Sequence, residues 1–323
     1  MSTFKEIRGT LIKSVSSDPA NPQIGQIWYN STIGSLKGVV SLTGQWVSGG
    51  NLNTARAAMG YAGPTTNTAF AFGGNNGPGN NAEQYNGSSW TEVGDLNTAR
   101  SYLAGAGTQT AALGFGGYVN PPNRYLNLSE EYNGSSWSEG NNLNTGRDVL
   151  AGCGTQTAGL AFGGFTPGNT ADTEEYNGTS WSEQNNLNTA RRGLAGAGIQ
   201  TLALAMGGQN GPSSALTEEY NGTSWTASNA LNTGREGIAG AGIQTSAIAM
   251  GGNVTTKTLT EHYDGTSWTA AAVMATGKDS AGGAGANNTT ALIFGGRGAA
   301  NSPTATTEEF TGGTITKTFT TST

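Results

Sequence analysis

The chain has 323 residues, of which 11% are charged and 53 are glycine, and its formal charge is −6. So much glycine excludes a mainly helical protein, because glycine weakens helix interiors while tight turns between short strands accept it. The absence of any basic block argues against nucleic acid, the single cysteine excludes an internal disulfide framework, and no apolar run is long enough to span a bilayer.

Residues 1–48 form the first segment. Its start, MSTFKEIRGTLIKSV, has no apolar h-region, so no secretory signal is expected. Candidate strands lie at Ile27–Asn30 and Leu36–Ser41, followed by the tryptophan Trp46.

From residue 49 to 323 the chain repeats itself, and a period of 20–50 residues decides the fold class. Trp46, Trp90, Trp137, Trp181, Trp225 and Trp268 fall in register, at spacings of 44, 47, 44, 44 and 43. With them recur a Gly-Gly pair and a basic residue: Arg56, Arg100, Arg147, Arg191, Arg235 and Lys278. Each unit predicts four strands. Strand A is small and apolar (Gly193–Gly198), strand B is apolar and ends at Gly-Gly (Leu202–Met206), strand C carries Glu-Glu-Tyr (Glu218–Tyr220), and strand D carries the tryptophan. Strands C and D are joined by Tyr-Asn-Gly-[Ser/Thr]-Ser-Trp in four copies, which predicts a type I′ hairpin turn. The expected fold is therefore all-β, a propeller with six clear four-stranded blades.

The end of the chain leaves closure open. Phe310–Ile315 matches the C–D link slot for slot, so Thr314–Thr321 reads as a strand D that competes with the strand around Trp46. Either Trp46 closes a six-bladed ring or residues 8–48 form a degenerate seventh blade. The balance tips to six.

The order Arg, apolar strand, Gly-Gly, Glu-x-Tyr, Trp, Leu-Asn-Thr-Ala-Arg resembles the kelch repeat, from Trp46 to about Ile315. Separately, Asp18–Lys37 (DPANPQIGQIWYNSTIGSLK) resembles a short module near the start of structural and tail proteins of marine bacteriophages. Together these resemblances imply a kelch-like β-propeller serving as a non-enzymatic virion structural protein, assembled in the host cytoplasm as a tail or fibre component. Residues 1–48 would attach to other virion proteins. The propeller would meet a host surface glycan or protein, and a homo-oligomer stays open. The alternatives are a carbohydrate-acting propeller enzyme and a cellular kelch-type adaptor.

The repeated residues read as structural, because catalysis needs asymmetry. The six basic residues recur with Glu83, Glu130, Glu174, Glu218, Glu261 and Glu308, each two before an aromatic residue. They suggest a repeated ion pair, or a Glu-to-backbone bond, between blades. His262 occupies a slot held elsewhere by Gln84, Glu131, Glu175, Glu219 and Glu309, which reads as solvent-facing. Cys153 reads as a core filler. One histidine and one cysteine cannot build a closed zinc site, and the copper histidines of galactose oxidase are missing. No catalytic, cofactor or metal residue is expected. Variation between blades is concentrated in the B–C loops, so the candidate binding face is Tyr118, Arg124, Tyr125, Phe165, Asn210 and Arg297.

Overall fold

The computed structural model describes residues 12–19, 26–74, 79–120 and 125–319. Its contacts divide the chain into two units, Met1–Gly44 with Gly312–Thr323, and Gln45–Thr311. No helix is present among the described residues.

In the first unit β1 (Lys13–Val15) runs parallel to β2 (Ile27–Asn30), and β2 pairs antiparallel with the start of β3 (Ser35–Ser48). One carboxylate gathers this segment. Asp18 accepts from Trp28 Nε1 at 3.1 Å, Asn30 Nδ2 at 2.7 Å and Lys37 Nζ at 2.5 Å. Those donors, Lys37 first, hold its carboxyl down at about 2. The strands expected in this region exist, but they do not make a full seventh blade.

The second unit holds six blades. Blade 1 is β4 (Gly60–Ala62), β5 (Phe70–Phe72), β6 (Ala82–Tyr85) and β7 (Trp90–Val93). Blade 2 is β8 (Ala104–Gly107), β9 (Ala112–Phe115), β10 (Ser129–Tyr132) and β11 (Trp137–Glu139). Blade 3 is β12 (Ala151–Thr155), β13 (Ala158–Phe162), β14 (Thr173–Tyr176) and β15 (Trp181–Gln184). Blade 4 is β16 (Ala195–Ile199), β17 (Leu202–Met206), β18 (Thr217–Tyr220) and β19 (Trp225–Ser228). Blade 5 is β20 (Ala239–Ile243), β21 (Ser246–Met250), β22 (Thr260–Tyr263) and β23 (Trp268–Ala270). Blade 6 takes β24 (Gly282–Asn287), β25 (Thr290–Phe294), the start of β26 (Thr307–Phe319) and the end of β3, which brings Trp46.

The outermost strand of blade 6 thus comes from the beginning of the chain, and Gly49 N donates to Thr307 O at 2.9 Å. The expectation of a terminal strand D at Thr314–Thr321 fails. β26 runs on without a C–D turn, because Thr311 stands where the other blades have Asn or Asp, and residues 320–323 lie outside the described residues.

A second device confirms closure at six. Ala58 N donates to Ser280 O, Tyr102 to Ala58, Val149 to Tyr102, Gly193 to Val149, Gly237 to Gly193, and Ser280 to Gly237, at 2.7–2.9 Å. One residue per blade completes this circle of backbone bonds, and all six have φ between 51° and 63°. Glycine accepts that conformation freely, but a β-branched residue such as Val149 does so only where its surroundings impose it.

Blades join through side chains. Trp181, Trp225 and Trp268 donate their indole N–H to Ser129, Thr173 and Thr217 of the preceding blade at 3.0 Å. Their rings, like Trp90 and Trp137, are 5–6% exposed; Trp46 is half-buried and donates to Ala272 O at 2.8 Å. In the recurrent A–B turns Gln109, Gln156, Gln200 and Gln244 each donate to two carbonyls of the preceding blade.

The C–D turn is not type I′. Only its glycine has positive φ, as at Gly87 (93°) and Gly222 (85°). The asparagine acts through its side chain: Asn221 Oδ1 accepts from Thr223 N and Ser224 N at 2.9 Å. Asp264 accepts from Thr266 N and Ser267 N in the same way, which is why Asp replaces Asn there.

Candidate binding site

The repeated charges are buried inside the blades and paired there. Arg56, Arg100, Arg147, Arg191, Arg235 and Lys278 are at most 2% exposed, and pair with Glu83, Glu130, Glu174, Glu218, Glu261 and Glu308 respectively. Each glutamate also accepts from the backbone of the linker entering its blade, as Glu218 does from Asn188 N at 2.7 Å. The pair therefore ties a linker to strand C of the same repeat, which corrects the expectation of a bond between blades.

The next residue along strand C makes the bond between blades. Glu131 accepts from Tyr176 Oη at 2.5 Å, Glu175 from Tyr220 at 3.0 Å, Glu219 from Tyr263, and Glu309 from Tyr85 at 2.7 Å. His262 fills this slot where the following blade offers Phe310, which has no hydroxyl. The imidazole packs edge-on at 4.9 Å from that ring. It is half-buried rather than solvent-facing, because Phe310 covers it. Cys153 is buried among strand residues, and burial pushes its thiol up to about 12.

With the repeated groups accounted for, asymmetry is left at one mouth of the ring, where the B–C loops meet the linkers. A cavity of about 330 Å³ opens there. Tyr118, Tyr125, Phe165 and Arg297 line it; Asn210 is exposed outside it, and Arg124 lies outside the described residues. The residue after the repeated base also lines the cavity in three blades, as Asp148, Arg192 and Glu236, and sequence reasoning overlooked this position. It reads Ala57, Ser101, Asp148, Arg192, Glu236 and Asp279, a run of changes beside an otherwise constant motif.

In blades 2 to 6 this position faces the residue after Gly-Gly, through backbone bridges. In three blades the two side chains bond each other. Arg192 Nε donates to Gln209 Oε1 at 3.0 Å, Asn253 Nδ2 to Glu236 Oε1 at 3.2 Å, and Arg297 Nε to Asp279 Oδ1 at 2.8 Å. Lys257 also donates to Asp279, at 2.6 Å. Blade 3 differs, since Asp148 faces Phe165, which cannot donate. Asp148 is 7% exposed, and its buried Oδ1 has no hydrogen-bond partner among the described residues. Phe165 in turn carries the Arg192 guanidinium 4.6 Å above its ring and meets Tyr125 edge-on at 5.8 Å.

Burial pushes the Asp148 carboxyl up to about 6, with Arg192 opposing the shift only in part. A raised folded pKa favours the protonated form, so this group suits the fold best below about 4 and weakens it as pH rises through about 6. Asp148→Asn mimics the protonated form. It is expected to raise stability by about 1–2 kcal/mol at pH 7.5, after screening at the mouth is allowed for, and to change nothing near pH 3.5. Urea midpoints at the two pH values check this; a loss of stability at pH 7.5 would refute it.

No protein-family model and no curated protein matches the sequence. A solved structure titled "Structure of YjhT" is similar, with a TM-score of 0.67 at 14% identity, covering 80% of this chain and 95% of that one. At that identity the likeness speaks for the fold alone: this chain is an all-β propeller.

Proposed function

We infer that the chain is a non-enzymatic recognition protein of a bacteriophage particle, a tail or fibre component whose propeller presents its B–C mouth to a host surface. The observation that carries the recognition half is the location of asymmetry. Six blades share their buried ion pairs and most of their turns and inter-blade bonds, and differ in charge and aromatic content at the B–C mouth, where a cavity opens. The virion half rests on the resemblance of Asp18–Lys37 to phage tail proteins. Four of its residues, Asp18, Trp28, Asn30 and Lys37, are bonded into one knot. The kelch-like order of the repeats agrees with a scaffold for binding loops.

Mass spectrometry of purified particles tests the location, and absence of the chain refutes it. For the face, Tyr118–Ser129 is replaced by Gln209–Thr217, which joins the equivalent strands of blade 4. The graft is expected to fold and to lower host adsorption at least tenfold; unchanged adsorption by a folded graft removes this loop from recognition. A carbohydrate-acting enzyme is the second reading, favoured by the raised pKa of Asp148, since shifted carboxyls mark catalytic acids. Glycan turnover by the purified protein, abolished in Asp148→Asn, would replace the first reading by the second.

A further inference from the structure

Every described arginine except Arg192 is ion-paired, and that exception lies in the mouth cavity. Arg192 donates through Nε to the neutral Gln209, and its guanidinium lies over Phe165. Its orientation is thereby fixed, while both Nη groups have no acceptor among the described residues. Glu236, at the same position of the next blade, is the counterpart. It accepts from Asn253 at Oε1 and makes no ion pair among the described residues, whereas Asp279 in blade 6 is held by Arg297 and Lys257. The two linkers run side by side, since a Cβ on Gly193 would lie 3.5 Å from Glu236 Cβ. Yet Arg192 and Glu236 form no ion pair with each other.

We propose that the mouth binds an α-amino acid group, its carboxylate on the Arg192 guanidinium and its ammonium on Glu236 Oε2. This rests on the reading of the mouth as a recognition site and names its ligand class.

Charge selects a zwitterion. A lone carboxylate would face the carboxylates of Asp148 and Glu236, and a lone ammonium would face Arg192 and Arg297, all of which line the cavity. A group that carries both charges adds none and meets an open partner at each end. The guanidinium fork matches a planar carboxylate with two parallel bonds. Blade 2 brings Tyr102, Tyr118 and Tyr125 to the same cavity. All three are half-buried, and their hydroxyls have no hydrogen-bond partner among the described residues. Their rings suit an ammonium, and their hydroxyls can bond either end of the ligand. Gly193 and Gly237, where blades 2 and 3 carry Tyr102 and Val149, leave the floor open beside Arg192 and Glu236. The space of about 330 Å³ lies at the small end of ligand cavities, which fits one amino acid rather than a longer chain.

The experiment uses the full chain at pH 7.5 and saturation-transfer NMR with glycine and both enantiomers of alanine and serine. Acetate, ethylammonium and methyl glucoside present the anion, the cation and a neutral ring alone, and phosphoethanolamine presents a zwitterion with phosphate in place of the carboxylate. At least one amino acid is expected to bind about tenfold more tightly than any of these, the worth of a charged hydrogen bond. Arg192→Gln is expected to weaken it by about tenfold or more without lowering the melting temperature, because Arg192 is only half-buried and bonds a neutral partner. Glu236→Gln is expected to bring the amino acid down to the level of acetate, a loss of preference that a merely structural role would not produce. Arg192→Lys, which keeps the charge and loses the fork, is expected to fall in between and serves if the glutamine variant does not fold. No binding by any amino acid, equal or tighter binding of any of the four other probes, or unchanged amino-acid binding in either glutamine variant overturns the proposal. In each case the loop graft still decides separately whether the mouth recognises the host.

Discussion

Replacing Arg191 by alanine is expected to cost about 3–5 kcal/mol, because the change strands a buried carboxylate. Arg191 is wholly buried and Glu218 is 2% exposed. The guanidinium donates to Glu218 and also reaches Ala205 O at 3.4 Å, so its loss leaves a carboxylate and a carbonyl short of donors. Asn188 softens the loss, since its backbone N and Nδ2 keep donating to Glu218 at 2.7 Å, which puts the effect toward the lower end of that range. Arg191→Lys should fall in between. Blade 6 shows a lysine in this place, but Lys278 donates to Thr306 Oγ1 at 2.9 Å, and blade 4 has Leu216 at the matching position. Removing both charges at once, by combining Arg191→Met with Glu218→Leu, should recover only part of the loss, because Asn188 N would then lose its acceptor. The measurement is the urea midpoint at constant slope. A midpoint unchanged in Arg191→Ala would mean that the six bases do not staple the blades and are free for a functional ring.

The staples and the mouth differ in how far the sequence reveals them. Strands A to D and their order follow from the alternation of apolar residues, the Gly-Gly breaks and the regular tryptophans, because each repeat buries the same faces. The C–D turn misled because Asn-Gly suits two geometries. One uses positive φ at both residues, and the other uses the asparagine side chain as an acceptor. Only the structure, with positive φ at Gly222 but not at Asn221, separates them. His262 misled for a different reason. Period-2 alternation turns its side chain away from its own blade's core, but says nothing of a neighbouring blade that covers it with Phe310. Asp148 was hidden because a repeat is recognised by what stays constant, and the residue after each arginine changes every time. Pairing that position with the residue after Gly-Gly needs the backbone bridges, such as Asp148 with Phe165, which connect them across a linker and a loop.

Trp181→Ala is expected to be as damaging, at about 3–5 kcal/mol. Trp181 is 6% exposed, lies 5.0 Å from both Phe115 of blade 2 and Tyr176 of its own blade, and donates its indole N–H to Ser129 Oγ at 3.0 Å. Alanine therefore opens a cavity at the junction of blades 2 and 3 and leaves the buried Ser129 hydroxyl without its donor. Trp181→Phe separates the two contributions. It keeps an aromatic ring against Phe115 but loses the N–H, so the hydrogen-bond share should be about 1 kcal/mol and the rest is packing. Trp46 supplies the internal comparison, because it occupies the same place in blade 6 yet is half-buried, packing on Phe310 at 5.1 Å. Trp46→Ala should cost clearly less than Trp181→Ala in the folded state. It also tests closure, since β3 completes blade 6 from the start of the chain, and its loss would leave Phe310 and β26 at an open sheet edge. Equal urea midpoints for Trp181→Ala and the wild type would contradict the packing of the tryptophans between blades.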